Sequence, residues 1–496
     1  MKKPAYKWVA LSVTTIGSFM AALDSTIVVL ALPNMLQDLH SDLVRMTWII
    51  LGYLIVSTVL QLSFGRMADM FGRVRLYNLG FVVFTIGSVL CGIAPNDSFL
   101  IASRVLQGIG GAMLTANSMA IITEVFPAEQ RGQAMGVNAV TWGAGSVLGP
   151  VLGGFILAAS SWRWIFLINL PVGIIGTLAA YLLLHDIAPN PRGERFDIFG
   201  ALLFCIGLVT LLLGLMSSIG SGWRSPLVLL CLVTAFLSFV CFTFWERRAA
   251  YPMLDLRLFA NRRYAFSVLA ATFQSLAIFA VNFLVIFYLQ GVRGYSPLTA
   301  AFLILPLPVL TSLIGPLGGR WADHDRFKGT TPATVGLILQ VAALIVLTFL
   351  TPSTPYLLLA LALCLMGLGG SFFWSPNTST TMGAAPRNRL GVASATLNTM
   401  RNVGMVCSFA VALSVAAASM PPNQVSAVFL GTVGHLPPGI ASAFTSAMSH
   451  AFIASAIICL IAILCSVVRG RQYAPSVAAA GPAPGTSEPV TQHPTS

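Results

Sequence analysis

Runs of apolar residues about twenty long, the length of helix that crosses the hydrocarbon core of a bilayer, recur along almost the whole chain. Fourteen such runs are read at 8–32, 47–66, 76–95, 98–123, 133–158, 163–184, 198–219, 226–245, 264–289, 298–318, 332–350, 355–382, 391–418 and 445–468. Inside a bilayer each backbone N–H and C=O must be bonded within its own element, so runs of this length imply helices. Composition agrees, since 56% of the 496 residues are hydrophobic and 8% are charged. A soluble domain carries about 25% charged residues, so this chain cannot coat a water-facing surface. The expectation is an all-α integral membrane protein with no substantial soluble domain, multi-pass in the cell membrane. Lys2, Lys3 and Lys7 precede the first run as they would a signal peptide. Asp24 interrupts that run and no small-residue cleavage site ends a short apolar core, so it is read as a retained helix.

The net charge of +12 raises the possibility of a nucleic-acid partner. The basic residues instead sit in short clusters between apolar runs. One alternate set of loops, with both termini, holds 21 Lys and Arg, and the opposite set holds four. The positive-inside rule then puts both termini in the cytoplasm and requires an even number of spans, with no nucleic-acid partner expected. Eight cysteines stand singly in apolar surroundings without metal-ligand spacing, and are read as small hydrophobes.

Pro- and charge-rich stretches at 185–197 and 246–263 divide the chain. The expected domains are an N-terminal six-helix bundle at 1–190, two additional transmembrane helices and a cytoplasmic linker at 191–260, a C-terminal six-helix bundle at 261–471, and a disordered cytoplasmic tail at 472–496. An internal repeat supports the two halves. GRMADMFGRVRL at 65–76 aligns with GGRWADHDRFKG at 318–329 so that Gly65 meets Gly319 and Asp69 meets Asp323, although Arg326 stands where Gly72 would. Repeated halves with a site between them near the bilayer midplane are a common transporter design.

Within these segments, Gly65 and Gly72 permit a tight turn, and Asp69 can cap a helix end or pair with Arg73 or Arg75. Gly145, Gly149 and Gly153 recur every four residues, so one face of the fifth helix admits close approach of another, with Pro150 bending it. Of 15 Asp and Glu, only Asp24 falls well inside a span. Desolvation disfavours the charged form of a carboxyl, which makes Asp24 the candidate proton carrier. A static polar partner is the plainer alternative. Arg104 lies inside the fourth run beside Gln107, where it either biases the protonation of an acid, plausibly Asp24, or snorkels to the interface. Arg401, near Asn398 and Asn402, presents the same choice. Candidates for a largely apolar substrate cavity are Trp48, Tyr53, Gln107, Asn117, Asn138, Trp142, Asn282, Trp374, Asn377 and Arg401, with Gln61, Gln274, Phe283, Tyr288, Phe372 and Phe373 in the wider set.

LDSTIVVLALP at 23–33, GRMADMFGRVRL at 65–76, RVLQGIGGA at 104–112, GAGSVLGPVLGG at 143–154, WRWIFLINLPVG at 162–173 and GVASATLNTMRNVG at 391–404 stand in that order. Together they resemble the major facilitator superfamily, in its fourteen-helix drug/proton antiporter branch, over nearly the whole chain to about residue 470. The resemblance implies two six-helix bundles with two inserted linker helices. It implies proton coupling through Asp24 and Arg104, a conformational-gating motif at Gly65, Asp69, Gly72 and Arg73, and an antiporter motif at Gly145, Gly149, Pro150, Gly153 and Gly154 that is associated with export. No cofactor is expected, the proton gradient being the energy source, and the partners would be a small-molecule substrate, protons and the bilayer, with the protein a monomer. The reading is a proton-coupled exporter of hydrophobic drugs or other small molecules, cationic ones included. A lipid or glycolipid exporter on the same fold is the alternative, and a receptor or scaffold without transport a further one. No GxxxxGK[ST] loop, HExxH or GxSxG occurs, so an ATP-driven pump and a membrane enzyme are not expected.

Overall fold

The computed structural model describes residues 3–41, 43–186, 196–254, 256–295, 297–324, 330–419 and 438–469. Regular structure among them is helical throughout. Fourteen helices of fifteen residues or more follow in order: α1 Lys3–Asp38, α2 Leu43–Phe71, α3 Arg73–Gly92, α4 Asp97–Val125, α5 Arg131–Ala159, α6 Asn169–Leu183, α7 Ile198–Ser221, α8 Pro226–Glu246, α9 Arg262–Phe287, α10 Pro306–His324, α11 Thr330–Thr348, α12 Tyr356–Ala384, α13 Leu390–Ser419 and α14 Pro438–Val468. Thirteen described segments are long and apolar enough to cross a membrane. Helix α13 packs alongside α2, α4 and α9 within the bundle.

Two groups of six helices result. In the first, α4 packs on α2 and α3, α1 on α5, and α3 on α6; in the second, α12 packs on α10 and α11, and α9 on α13 and α14. The pair α7 and α8 pack on each other, and α7 reaches α2 and α13 at the rim. Small residues set the closest approaches. A Cβ added at Gly87 of α3 would lie 2.7 Å from the Gln107 backbone of α4, the small-residue contact expected where lipid supplies no hydrophobic drive to associate.

The 65–76 segment is not the loop that its charges implied. Helix α2 runs to Phe71 and α3 starts at Arg73, so Gly72 alone forms the turn, at φ +109°. Gly65 lies within α2 and meets Gly391 of α13 instead of turning the chain. Charge ended the apolar run there without ending the helix, because Asp69 and Arg73 find partners. Asp186, beyond α6, caps α3 by accepting the Val74 N–H at 2.9 Å. Glu246, closing α8, accepts the N–H groups of Met253 and Leu254 and turns the following chain back on itself. The eight cysteines are free thiols. The tail at 472–496 and most of the uncharged loop after α13, through residue 437, lie outside the described residues.

Candidate functional site

Helix α1 carries a carboxyl group into the middle of the first six helices. Asp24 is fully buried. Its Oδ2 accepts from Arg104 Nη1 of α4 at 2.7 Å. Its Oδ1 accepts from Gln107 Nε2 at 2.8 Å and from Asn169 Nδ2 of α6 at 3.0 Å. Arg104 also donates through Nε to the Ile49 carbonyl at 3.1 Å and lies 4.4 Å from the Tyr53 ring centre. The snorkelling alternative for Arg104 is therefore set aside, since the side chain is 1% exposed. Gln107 is held in turn, donating to Ser88 Oγ of α3 at 2.7 Å. Both oxygens of a desolvated carboxylate are thus answered, as a buried ion pair requires.

The opposite side of α1 rests on the glycines of α5. A Cβ at Gly145 would lie 2.8 Å from the Phe19 carbonyl and 2.9 Å from Ala22 Cβ, and one at Gly149 would strike Thr26. A second glycine row on α5, not singled out from sequence, faces the other half. Gly136 meets Gly315, and Gly132 meets Gly319, both on α10. The helix is wedged between α1 and the second bundle, with glycine on both contact faces.

Two carboxylates fasten the halves together at the end where α2 turns into α3. Asp69 accepts the Gly391 and Val392 N–H groups, in the first turn of α13, at 2.8 and 3.0 Å. Asp323 accepts the Gly132 and Gln133 N–H groups, in the first turn of α5, at 2.8 and 2.9 Å. Each therefore places a negative charge on a helix N-terminus of the opposite half, where unpaired N–H groups and the helix dipole favour it. The internal repeat is thus expressed as a pair of equivalent contacts. Asp69 is further bound by Arg73, with Nη2 at 2.8 Å, and Arg73 reaches Glu124 at 2.8 Å and the Arg387 carbonyl at 2.6 Å. No arginine pairs with Asp323 among the described residues.

Between the halves lies a cavity of about 740 Å³, within the size range of small-molecule sites. Its wall takes residues from both halves, among them Ser25, Thr26, Asn138, Trp142, Gln274, Gln340, Trp374, Asn398 and Arg401. The two carboxylate contacts close it at one end. Toward the other end it includes Val151, Ile286 and Phe302, which are surface-exposed.

Residues 14–408 match the model of the Major Facilitator Superfamily. The chain belongs to that superfamily. It is a multi-pass membrane transporter and not an enzyme. It is 33% identical over 418 residues to the riboflavin transporter RibZ of Clostridioides difficile strain 630, covering 84% of this chain and 90% of the relative. It is likewise 33% identical over 410 residues to the multidrug resistance protein Stp of Mycobacterium tuberculosis strain H37Rv, covering 82% and 75%. The solved structure of the proton:xylose symporter XylE superposes with a TM-score of 0.60 at 14% identity, covering 92% of this chain and 95% of that one, a likeness of fold. The superfamily and the drug-antiporter branch read from the motifs both find support in these relatives.

Of the cavity candidates, Asn138, Trp142, Trp374 and Arg401 line the cavity, as does Gln274. Others do not. Tyr53 and Gln107 belong to the Asp24 cluster. Asn117 is buried within α4, donating to the Met113 carbonyl. Asn377 holds the buried Arg469 at 2.9 Å and donates to the Ser267 carbonyl. Trp48 is 38% exposed away from the cavity wall. The side chains of Pro150, Asn282 and Phe283 lie outside the described residues. Sequence reasoning missed Asn169, whose only signal was a polar residue in the apolar start of α6. It also missed Asp323 as a helix cap, although the repeat had aligned it with Asp69.

Proposed function

We propose that this transporter is a proton-coupled exporter of small hydrophobic molecules that works by alternating access, with Asp24 as the proton-carrying group. The observation that carries this reading is the position of Asp24. Its neighbours Ser25 and Thr26 line the cavity, whereas Asp24 faces α4 and α6 and is paired with Arg104. Substrate and proton would then act on opposite faces of one helix. Direct competition for the carboxylate is disfavoured, and coupling runs through the position of α1. When Asp24 is ionised, Arg104, Gln107 and Asn169 hold α1 inward. A proton delivered to Asp24 removes the ion pair, and α1 can shift against the glycines of α5, which packs on α10 of the other half. A proton shifts such an equilibrium only through its different affinity for the two states.

With the termini and the α2–α3 turn assigned to the cytoplasm, the arrangement corresponds to an outward-facing state, closed inside by Asp69 and Asp323. This state suits proton loading and substrate release outside. Relatives named for multidrug and methylenomycin A resistance favour export of drugs. The test is transport in proteoliposomes of defined orientation under an imposed pH gradient. Asp24→Asn is expected to abolish uphill export while the purified protein remains folded and still exchanges substrate downhill. Undiminished pH-driven export of both cationic and neutral compounds by this variant would reject the role of Asp24.

A further inference from the structure

The cavity holds one charge that the coupling scheme leaves unused. Arg401 of α13 lies in the cavity wall, and no Asp, Glu, Lys or His side chain lines the cavity with it among the described residues. Its guanidinium carbon sits 5.4 Å from the Trp142 ring centre and 5.6 Å from the Trp374 ring centre. Its Nε is buried without a hydrogen-bond partner. Of the buried arginines, Arg104 and Arg73 are matched by carboxylates at 2.7 and 2.8 Å, and Arg469 donates to Asn377 Oδ1 at 2.9 Å. Among the described residues Arg401 is answered only by aromatic faces, which offset part of the cost of desolvating a cation and supply no hydrogen-bond acceptor.

We infer that the cavity is built for amphipathic organic anions carrying one acidic group on a planar aromatic body. The acidic group would take the guanidinium N–H donors, whose planar fork matches a carboxylate, sulfonate or phosphate. The aromatic body would lie between the indoles, with Asn138, Gln274 and Asn398 offering neutral hydrogen bonds along the wall. Trp142 belongs to the first half and Trp374 and Arg401 to the second, so such a ligand touches both bodies that alternating access must move. Cations find no acidic partner in this wall, because Asp24 is turned away and paired. The inference narrows the substrate class of the exporter proposed above and rests on that reading for its transport arm only.

The test compares two xanthene dyes of opposite charge, fluorescein and rhodamine 6G, binding to the purified full-length protein and followed by fluorescence anisotropy. Fluorescein should bind the tighter of the two. Arg401→Gln should weaken fluorescein binding by about ten-fold or more, as expected for losing a charge-assisted pair, and leave rhodamine 6G unchanged or improved. Arg401→Lys should keep the preference for the anion, and if Arg401→Gln does not fold, Trp142→Leu should weaken fluorescein binding in its place. Tighter binding of rhodamine 6G, no binding of fluorescein, or unchanged fluorescein affinity in Arg401→Gln overturns the inference. The same dyes in proteoliposomes separate the two proposals. Arg401-dependent binding without pH-driven movement supports the anion site and removes the exporter reading. Export of rhodamine 6G undiminished in Arg401→Gln, with fluorescein not carried, does the reverse.

Discussion

A carboxylate at mid-membrane persists only where its charge is answered, and Asp24 is answered from three directions by α4 and α6. Removing one partner of such a pair strands the other. Arg104→Leu is expected to destabilise the protein by about 3–5 kcal/mol, whereas combining Arg104→Gln with Asp24→Asn should recover most of that, since neutral amides can still bond to Gln107 and Asn169. Thermal unfolding of the purified proteins reads the difference, and equal destabilisation by the single and double changes would contradict it. At the C-terminal end of α1, Asp38 accepts from Arg163 at 2.6 Å and from Trp162 Nε1 at 2.9 Å, and these bonds hold its carboxyl below the usual range. A depressed folded pKa gives stability that is present above the unfolded value, about 4, and is lost as pH falls through the folded one. Half exposure of this side chain keeps the effect small. Asp38→Asn should therefore lower the melting temperature slightly near neutral pH, a gap that closes in strong acid.

Helix α5 is the element on which the proposed movement would turn, because glycines on both of its contact faces let α1 and α10 approach it closely. Gly149→Leu would push into Thr26 and the Leu23 carbonyl, 3.1 Å from an added Cβ. The expected result is loss of transport out of proportion to any loss of stability, measured as export rate against melting temperature on the same preparation. Normal transport by this variant would remove α5 from the mechanism. Of the two helix caps, Asp69 is backed by Arg73, and among the described residues no arginine backs Asp323. Each forms two charge-assisted bonds to a helix N-terminus, worth about 1.5–3 kcal/mol apiece. Asp69→Asn and Asp323→Asn should both open the closed end, and labelling of a cysteine at Thr378 from that side should rise in each, in a background freed of native cysteines. An unchanged labelling rate in both would show that the caps do not hold the closed state.

At the scale of the whole molecule, the halves meet through glycine rows and two helix caps, with a largely uncharged cavity between them. The helix caps cluster at one end and hold that end closed, the arrangement that the proposed alternating access needs. Both termini should lie on the capped side. Cysteines introduced at Lys2 and Arg471 should react together from the cytoplasmic face, and labelling from opposite faces would overturn the even number of spans.

The sequence alone determined the solvent of this protein and the number of long helices among the described residues, because a bilayer demands long apolar runs and fully bonded backbones. It also singled out Asp24, since one carboxyl inside a span stands out against uniform apolarity. Pairwise geometry was not legible in the same way. Trp48, Tyr53, Gln107, Asn117 and Asn377 have the same polar or aromatic character as the residues that do line the cavity, and a helix presents residues in all directions, so only packing decides which face meets which neighbour. The same holds for Arg104 and Arg401. Each is an arginine within a helix, and tertiary structure alone sets one against a carboxylate and leaves the other in the cavity wall between two indoles.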